Sequence, residues 1–209
     1  SSSSSQPSFS LWRIAVPAFG PSLLFGIGEG AILPIVPLTA RELGASVPMA
    51  ALVMALIGIG SLLNNIPASM ITMRWGERWA IVAAGAWSAL GMALCVWTSH
   101  LGLFALGCFM VGMSQAVYNL ARQSYMSEAV PVEYRARALS TLGGVMRIGM
   151  FIGPFLAAGA VHFFGLMAAY VLGIVAVAGA AILGARIPDL ELPPAPPGQA
   201  APAKPTIVS

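Results

Sequence analysis

The chain has 209 residues, of which 58% are hydrophobic and 8% charged, and its mean hydropathy is +0.85. A soluble domain carries roughly 25% charged residues, so this composition excludes an ordinary soluble domain and reads as a membrane protein. The formal net charge of +3 rests on ten basic residues that stand singly, and without a Lys/Arg cluster it is no nucleic-acid footprint.

The opening SSSSSQPS is polar and low in complexity, so residues 1–10 are expected to be disordered. No cleavable signal peptide is evident, and the missing initiator Met reads as a trimmed or processed chain. A bilayer core needs about 20 apolar residues in helical form, and six runs fit: about 14–38, 48–70, 79–98, 101–122, 138–160 and 166–186. None alternates as transmembrane strands do. Residues 11–188 are therefore expected to form one six-helix bundle.

In the first run, "FGIGEGAILPIVP" places Glu29 near mid-depth between Gly28 and Gly30. An ionisable residue in a span costs roughly 2.5–3.5 kcal/mol on insertion scales, which makes it a functional hypothesis by default. A carboxyl exchanging protons there couples solute movement to a proton gradient; the alternative is a structural, neutral or paired Glu. Asn64 and Asn65 close the second run. They either extend a substrate cavity or make interhelical hydrogen bonds. Cys95 and Cys108 fall inside apolar runs and read as buried small hydrophobes.

On the fourth run Gln115, Tyr118, Asn119 and Arg122 recur at i, i+3, i+4 and i+7, which places them on one helix face. A polar stripe on an apolar helix faces a water-filled cavity or another helix. In the following connection, "SEAVPVEYRARALS", Pro131 breaks the chain before a new helix. Glu133 sits near that helix's positive end and is spaced to pair with Arg137. The fifth run, "MRIGMFIGPFLAAG", carries Arg147, Gly149, Gly153 and Pro154. Small residues every four positions allow close helix approach, and proline kinks a helix. His100 and His162 have no metal-ligand spacing, so no metal or other cofactor is expected. The tail, "PDLELPPAPPGQAAPAKPTIVS", is Pro/Ala-rich; residues 189–209 read as a flexible linker.

Arg13, Arg74, Arg78, Arg122, Arg135, Arg137, Arg186 and Lys204 all fall on one side of a six-span arrangement, and the opposite loops hold only Arg41, expected to pair with Glu42. By the positive-inside rule both termini are expected to be cytoplasmic, in a cell membrane. A weak internal repeat is also visible. "MRWGERWAIVAAGAW" enters the third span and "HFFGLMAAYVLGIVA" the sixth, each with an aromatic–Gly pair, Trp75-Gly76 and Phe164-Gly165. Three spans followed by three spans have inverted membrane orientation, as within one half of a transporter.

Three segments resemble motifs of the major facilitator superfamily. "SMITMRWGERWAI" is similar to G-x-L-A-D-R-x-G-R-[RK]: Gly76, Arg74 and Arg78 match, Ser69 substitutes for the first Gly, Met73 stands in place of the Asp, and Glu77 replaces a basic residue. "PVEYRARALS" resembles P-x-E-x-R-x-x-A-x-[GS] through Pro131, Glu133, Arg135 and Ala138. "GMFIGPFLAAG" is similar to the antiporter motif G-x-x-x-G-P-x-x-G-G through Gly149, Gly153 and Pro154. The fourth-helix motif arginine has no match; Cys108 stands near its place.

The resemblance implies an all-α membrane fold of six transmembrane helices as two inverted three-helix repeats, half of a twelve-span architecture, in a drug or metabolite efflux branch. It implies a secondary transporter, not an enzyme, whose partners are the lipid bilayer, a small-molecule substrate, protons and a second six-helix half. That half is a second copy or a separate C-terminal half, unless the chain is a truncated fragment. It also implies that Gly149, Gly153 and Pro154 face a helix of the other half and shape the gate. The fourth helix would line the cavity, so Gln115, Tyr118, Asn119 and Arg122 are expected to contact substrate; the first and fifth helices would lie side by side, so Arg147 either pairs with Glu29 or faces the cavity. The alternative is a non-transporting scaffold. A rhomboid-type protease is disfavoured, because "GMSQ" at Ser114 breaks G-x-S-G.

Overall fold

A computed structural model describes residues 19–186. The expected disordered segment, the expected linker, Arg13 and Lys204 lie outside the described residues. Within them the regular structure is helical: α1 Gly20–Ile32, α2 Val36–Glu42, α3 Val47–Leu63, α4 Asn65–Trp75, α5 Glu77–Trp97, α6 Leu101–Ala129, α7 Val132–Phe164 and α8 Met167–Ala185.

These eight helices give six candidate membrane spans when each broken pair is taken as one. α1 and α2 are one apolar stretch, Gly20–Glu42, interrupted at residues 33–35. Pro34 and Pro37 cause the break, since a proline lacks the amide donor and crowds the carbonyl four residues back. α3 and α4 are a second broken span, bent by 50°. Pro67 lies four residues beyond Leu63, the last residue of α3, so the same crowding ends that helix. The other four spans are single helices. α6 runs to Ala129 and α7 starts at Val132, well beyond the expected limits at 122 and 138. Apolarity marks depth in a bilayer, whereas the helix itself continues until a breaker, here Pro131 with Val130 in extended conformation.

The first span packs on the fifth and sixth, the fourth on the second and third, and the third on the sixth. Exchanging spans one to three with four to six leaves this pattern of main contacts unchanged, which is the signature of two three-helix repeats. Backbone detail repeats too. Gly76 (φ 84°, ψ 164°) precedes the third span and Gly165 (φ 89°, ψ 176°) precedes the sixth. Positive φ at this ψ is a region that only glycine enters freely, which accounts for the aromatic–Gly pairs in the sequence.

Equivalent seams are closed by the same device. Where α1 meets α7, a Cβ at Gly26 would come 2.5 Å from the Met146 carbonyl, and one at Gly153 would come 2.6 Å from that of Ile27. Where α3 meets α6, Gly60 faces Phe109 and Gly112 faces Ile57 as tightly. Backbones touch across both seams, and any side chain would force them apart.

The partner of this glycine flank differs from the expectation. Gly149 and Gly153 pack on α1 of the same bundle, against Leu23 and Ile27, not on a helix outside it. Small residues spaced by four fit the neighbour already available, and Pro154, only half-buried, sits at the edge of that seam.

Candidate functional site

Glu29 is 2% exposed on α1. Ser22, Phe25 and Glu29 recur at i, i+3 and i+7, so they share one face, and that face meets α6. Phe25 stacks on Tyr118 with centroids 3.9 Å apart and planes 4° from parallel. The Tyr118 hydroxyl donates to Ser22 Oγ at 3.2 Å. Further along α1 the Gln115 amide lies beside the Glu29 carboxyl, and Arg122 acts on it through its charge. Glu29 Oε1 makes no hydrogen bond. A buried carboxylate oxygen left unpaired is costly, so such an atom calls for a functional explanation.

Arg122 is half-buried and committed on two sides. Its Nε donates to Asn119 Oδ1 at 3.2 Å and its Nη1 to the Leu142 carbonyl of α7 at 3.4 Å. The stripe Gln115, Tyr118, Asn119 and Arg122 thus faces α1 and α7, and together with Ser22 and Glu29 it forms one polar layer inside an apolar bundle. Charge-assisted bonds of this kind hold strongly in a low dielectric.

Other candidates lie elsewhere. Asn64 sits at the bend of the second span and its Nδ2 donates to the Met113 carbonyl at 2.8 Å. At about 100° per residue, Met113 is on the side of α6 away from the stripe, so Asn64 does not join the layer; Asn65 is exposed. Arg147 is exposed on α7 beside Ile148 and Phe151, while the inward stripe of α7 is Leu142, Met146, Gly149 and Gly153. The possible Glu29–Arg147 pair does not form, because Arg147 points away from α1; the arginine acting on Glu29 is Arg122.

Ser69, Arg74, Gly76 and Arg78 gather around the turn between α4 and α5. Arg78 lies over the Trp79 ring at 5.0 Å, and the weak contact of Ser69 Oγ is to Met73 Sδ at 3.8 Å. Glu77 Oε1 accepts from Ser124 of α6 at 2.9 Å. Glu133 and Arg137 are both exposed at the start of α7, and Arg135 Nε donates back to the Val130 carbonyl at 3.2 Å. At the opposite end Arg41 donates to the Ala45 carbonyl at 2.9 Å rather than pairing with Glu42. Cys95 and Cys108 are buried and unbridged. Among the described residues no three His, Cys, Asp or Glu side chains converge as a metal site would require.

Sequence reasoning missed Ser22, Phe25 and the Leu142 carbonyl. The i, i+3, i+7 spacing from Ser22 to Glu29 was available as a signal, but a lone Ser in an apolar helix is an ordinary packing residue. A backbone acceptor leaves no trace in a sequence.

A family model described as Major Facilitator Superfamily matches residues 19–208. The chain is 29% identical over 130 residues to an uncharacterised MFS-type transporter of Yersinia pestis, covering 61% of this chain and 33% of that one. It is 25% identical over 138 residues to a class H tetracycline resistance protein of Pasteurella multocida, covering 65% and 34%. It is also 25% identical over 114 residues to an uncharacterised MFS-type transporter of Bacillus subtilis, covering 54% and 28%. The matched part spans about a third of the length of these relatives. Two exchangeable three-helix units, a polar layer within an apolar bundle and these matches lead to one conclusion: the chain belongs to the Major Facilitator Superfamily.

Proposed function

We propose that this chain is the N-terminal six-helix half of a proton-coupled secondary transporter that exports a small organic solute by alternating access, both termini lying in the cytoplasm. The observation that carries the reading is Glu29, buried with one carboxylate oxygen unbonded, beside a polar stripe of α6. As a carboxylate, Glu29 is held by the Gln115 amide and the Arg122 charge. Protonated, it loses most of its attraction to Arg122, and α1 is freer to move against α6. A proton thereby shifts the balance between two arrangements of these helices by its differential interaction with them. Gln115, Tyr118, Asn119 and Arg122 are the groups that meet solute when the layer opens. Export is supported by the relative named for tetracycline resistance.

A second six-helix half is part of the proposal. The relatives are about three times as long as the matched part. The fifth span buries only 22% of its most apolar stretch, against 61% for the first. Its exposed face carries Arg147, whose exposure to acyl chains would be expensive. In the assembled transporter Arg147 faces the shared vestibule, and the turn holding Ser69, Arg74, Gly76 and Arg78 closes the cytoplasmic end with Glu133 and Arg135.

The test is solute transport by the protein assembled with its second half in proteoliposomes, over about pH 6 to 8. Glu29→Gln keeps the shape and removes the proton. Proton-driven transport is expected to stop while solute exchange without a gradient persists. Gradient-driven transport that survives unchanged in Glu29→Gln would sink the coupling role.

A further inference from the structure

A crevice lies beside the second and third spans, next to the turn that the transport reading places at the cytoplasmic end. α5 turns Ala80, Ala84, Ser88 and Gly91 into the bundle. Its opposite stripe, Trp79, Ala83, Ala86, Trp87 and Leu90, carries no polar side chain except the indole N–H, so it is the face that meets acyl chains. Two adjoining hollows share Trp75 and Ala83 along this face. The outer one, about 410 Å³, lies between Trp75, Trp79 and Ala86. The inner one, about 250 Å³, continues past Trp75 to Asn64, Ser114 and Val117.

The polar donors on the inner floor are committed elsewhere. Asn64 Nδ2 donates to the Met113 carbonyl and Ser114 Oγ to the Val111 carbonyl at 2.6 Å. What the crevice offers is an apolar slot. Its mouth is different. Arg74 is exposed one residue before Trp75, and the Arg78 guanidinium rests over Trp79. Trp75 and Trp79 are 55% and 52% exposed, the kind of amphipathic ring that settles at headgroup depth.

We propose that the crevice binds one anionic phospholipid, with an acyl chain in the slot and its phosphate between Arg74 and Arg78. Hydrocarbon surrounds the slot on its open side, and guanidinium groups match a phosphate in charge and in donor geometry. Each basic residue near an anionic surface contributes about fivefold in affinity.

The experiment uses the full chain with Trp12 and Trp97 changed to Phe, leaving Trp75, Trp79 and Trp87, which line the two hollows, as reporters. It is placed in phosphatidylcholine nanodiscs containing a small fraction of lipid brominated on its acyl chains. Brominated phosphatidylglycerol is expected to quench the reporters at a lower mole fraction than brominated phosphatidylcholine. Arg74→Gln with Arg78→Gln should bring the two curves together, and Ala86→Phe, which fills the outer hollow, should weaken quenching by both. Equal quenching by the two lipids in the starting protein overturns the proposal. So does a preference that survives the double arginine change, or unchanged quenching in Ala86→Phe, each variant first shown by circular dichroism to keep its helices.

Discussion

The first and fourth spans occupy equivalent places in the two three-helix units. Each packs on two spans of the other unit in mirrored fashion, and each meets one of them across a glycine seam. Their chemistry is not mirrored. The first span is broken by Pro34 and Pro37 and carries one ionisable group in its interior, Glu29, with Arg41 and Glu42 at its far end. The fourth is an unbroken helix of 29 residues bearing an amide stripe, Tyr118 and Arg122. Packing can be duplicated because it requires only small residues at the crossings. An acid can be useful only opposite groups that respond to it, so the two equivalent helices have diverged at the layer where they face each other.

The sharpest way to break the comparison is to fill the seams. Gly112→Leu and Gly149→Leu each put a side chain where a backbone carbonyl of the neighbouring helix lies. Overpacking of this kind costs roughly 1–3 kcal/mol and more where only backbone can yield. Both variants are expected to lose most of their folded yield in detergent, to a similar degree. Gly143→Ala, where nothing lies within 4 Å, should be neutral or stabilising by up to about 1 kcal/mol. If only one seam were sensitive, the two units would not be held by the same device.

A smaller effect is expected at the asymmetric layer. Arg122→Gln removes the donor to the Leu142 carbonyl, a bond tying α6 to α7 in this layer. A bond involving a charged group is worth about 1.5–3 kcal/mol, and thermal unfolding in lipid nanodiscs should report that loss. Tyr118→Phe removes only the hydroxyl donated to Ser22 and leaves the ring on Phe25. Its expected cost is about 1 kcal/mol, whereas Tyr118→Ala should cost about 3–5 kcal/mol. If Tyr118→Phe were as damaging as Tyr118→Ala, the hydrogen bond rather than the stack would hold these helices.

Much of the scaffold was legible because apolar run length and the aromatic–Gly pairs are local signals. Helix ends in the fourth connection were not, since composition records depth and the breaker at Pro131 records the end. The stripe on α6 was legible from its spacing alone. Its partner was not. The sequence offered Arg147 as the partner of Glu29, and placing Arg147 needs the rotation of α7 about its axis. That rotation is fixed by Gly149 and Gly153 pressing on α1, which turns Arg147 outward.

Arg147 gives the smallest effect on this chain and separates the two arginines. It is exposed, away from the seam and from Glu29, so Arg147→Gln should change the stability of the isolated bundle by no more than about 0.5 kcal/mol. Arg122→Gln, in the same unfolding assay, should cost several times that. The order is expected to differ once a second half is present, because the exposed face of α7 then borders the vestibule and its charge meets solute or an opposing acid. Arg147→Gln would leave folding intact while weakening solute uptake or assembly of the two halves. A marked loss of stability in the isolated chain would mean instead that Arg147 is already engaged inside the bundle, and that the outward face of α7 is not a surface reserved for a counterpart.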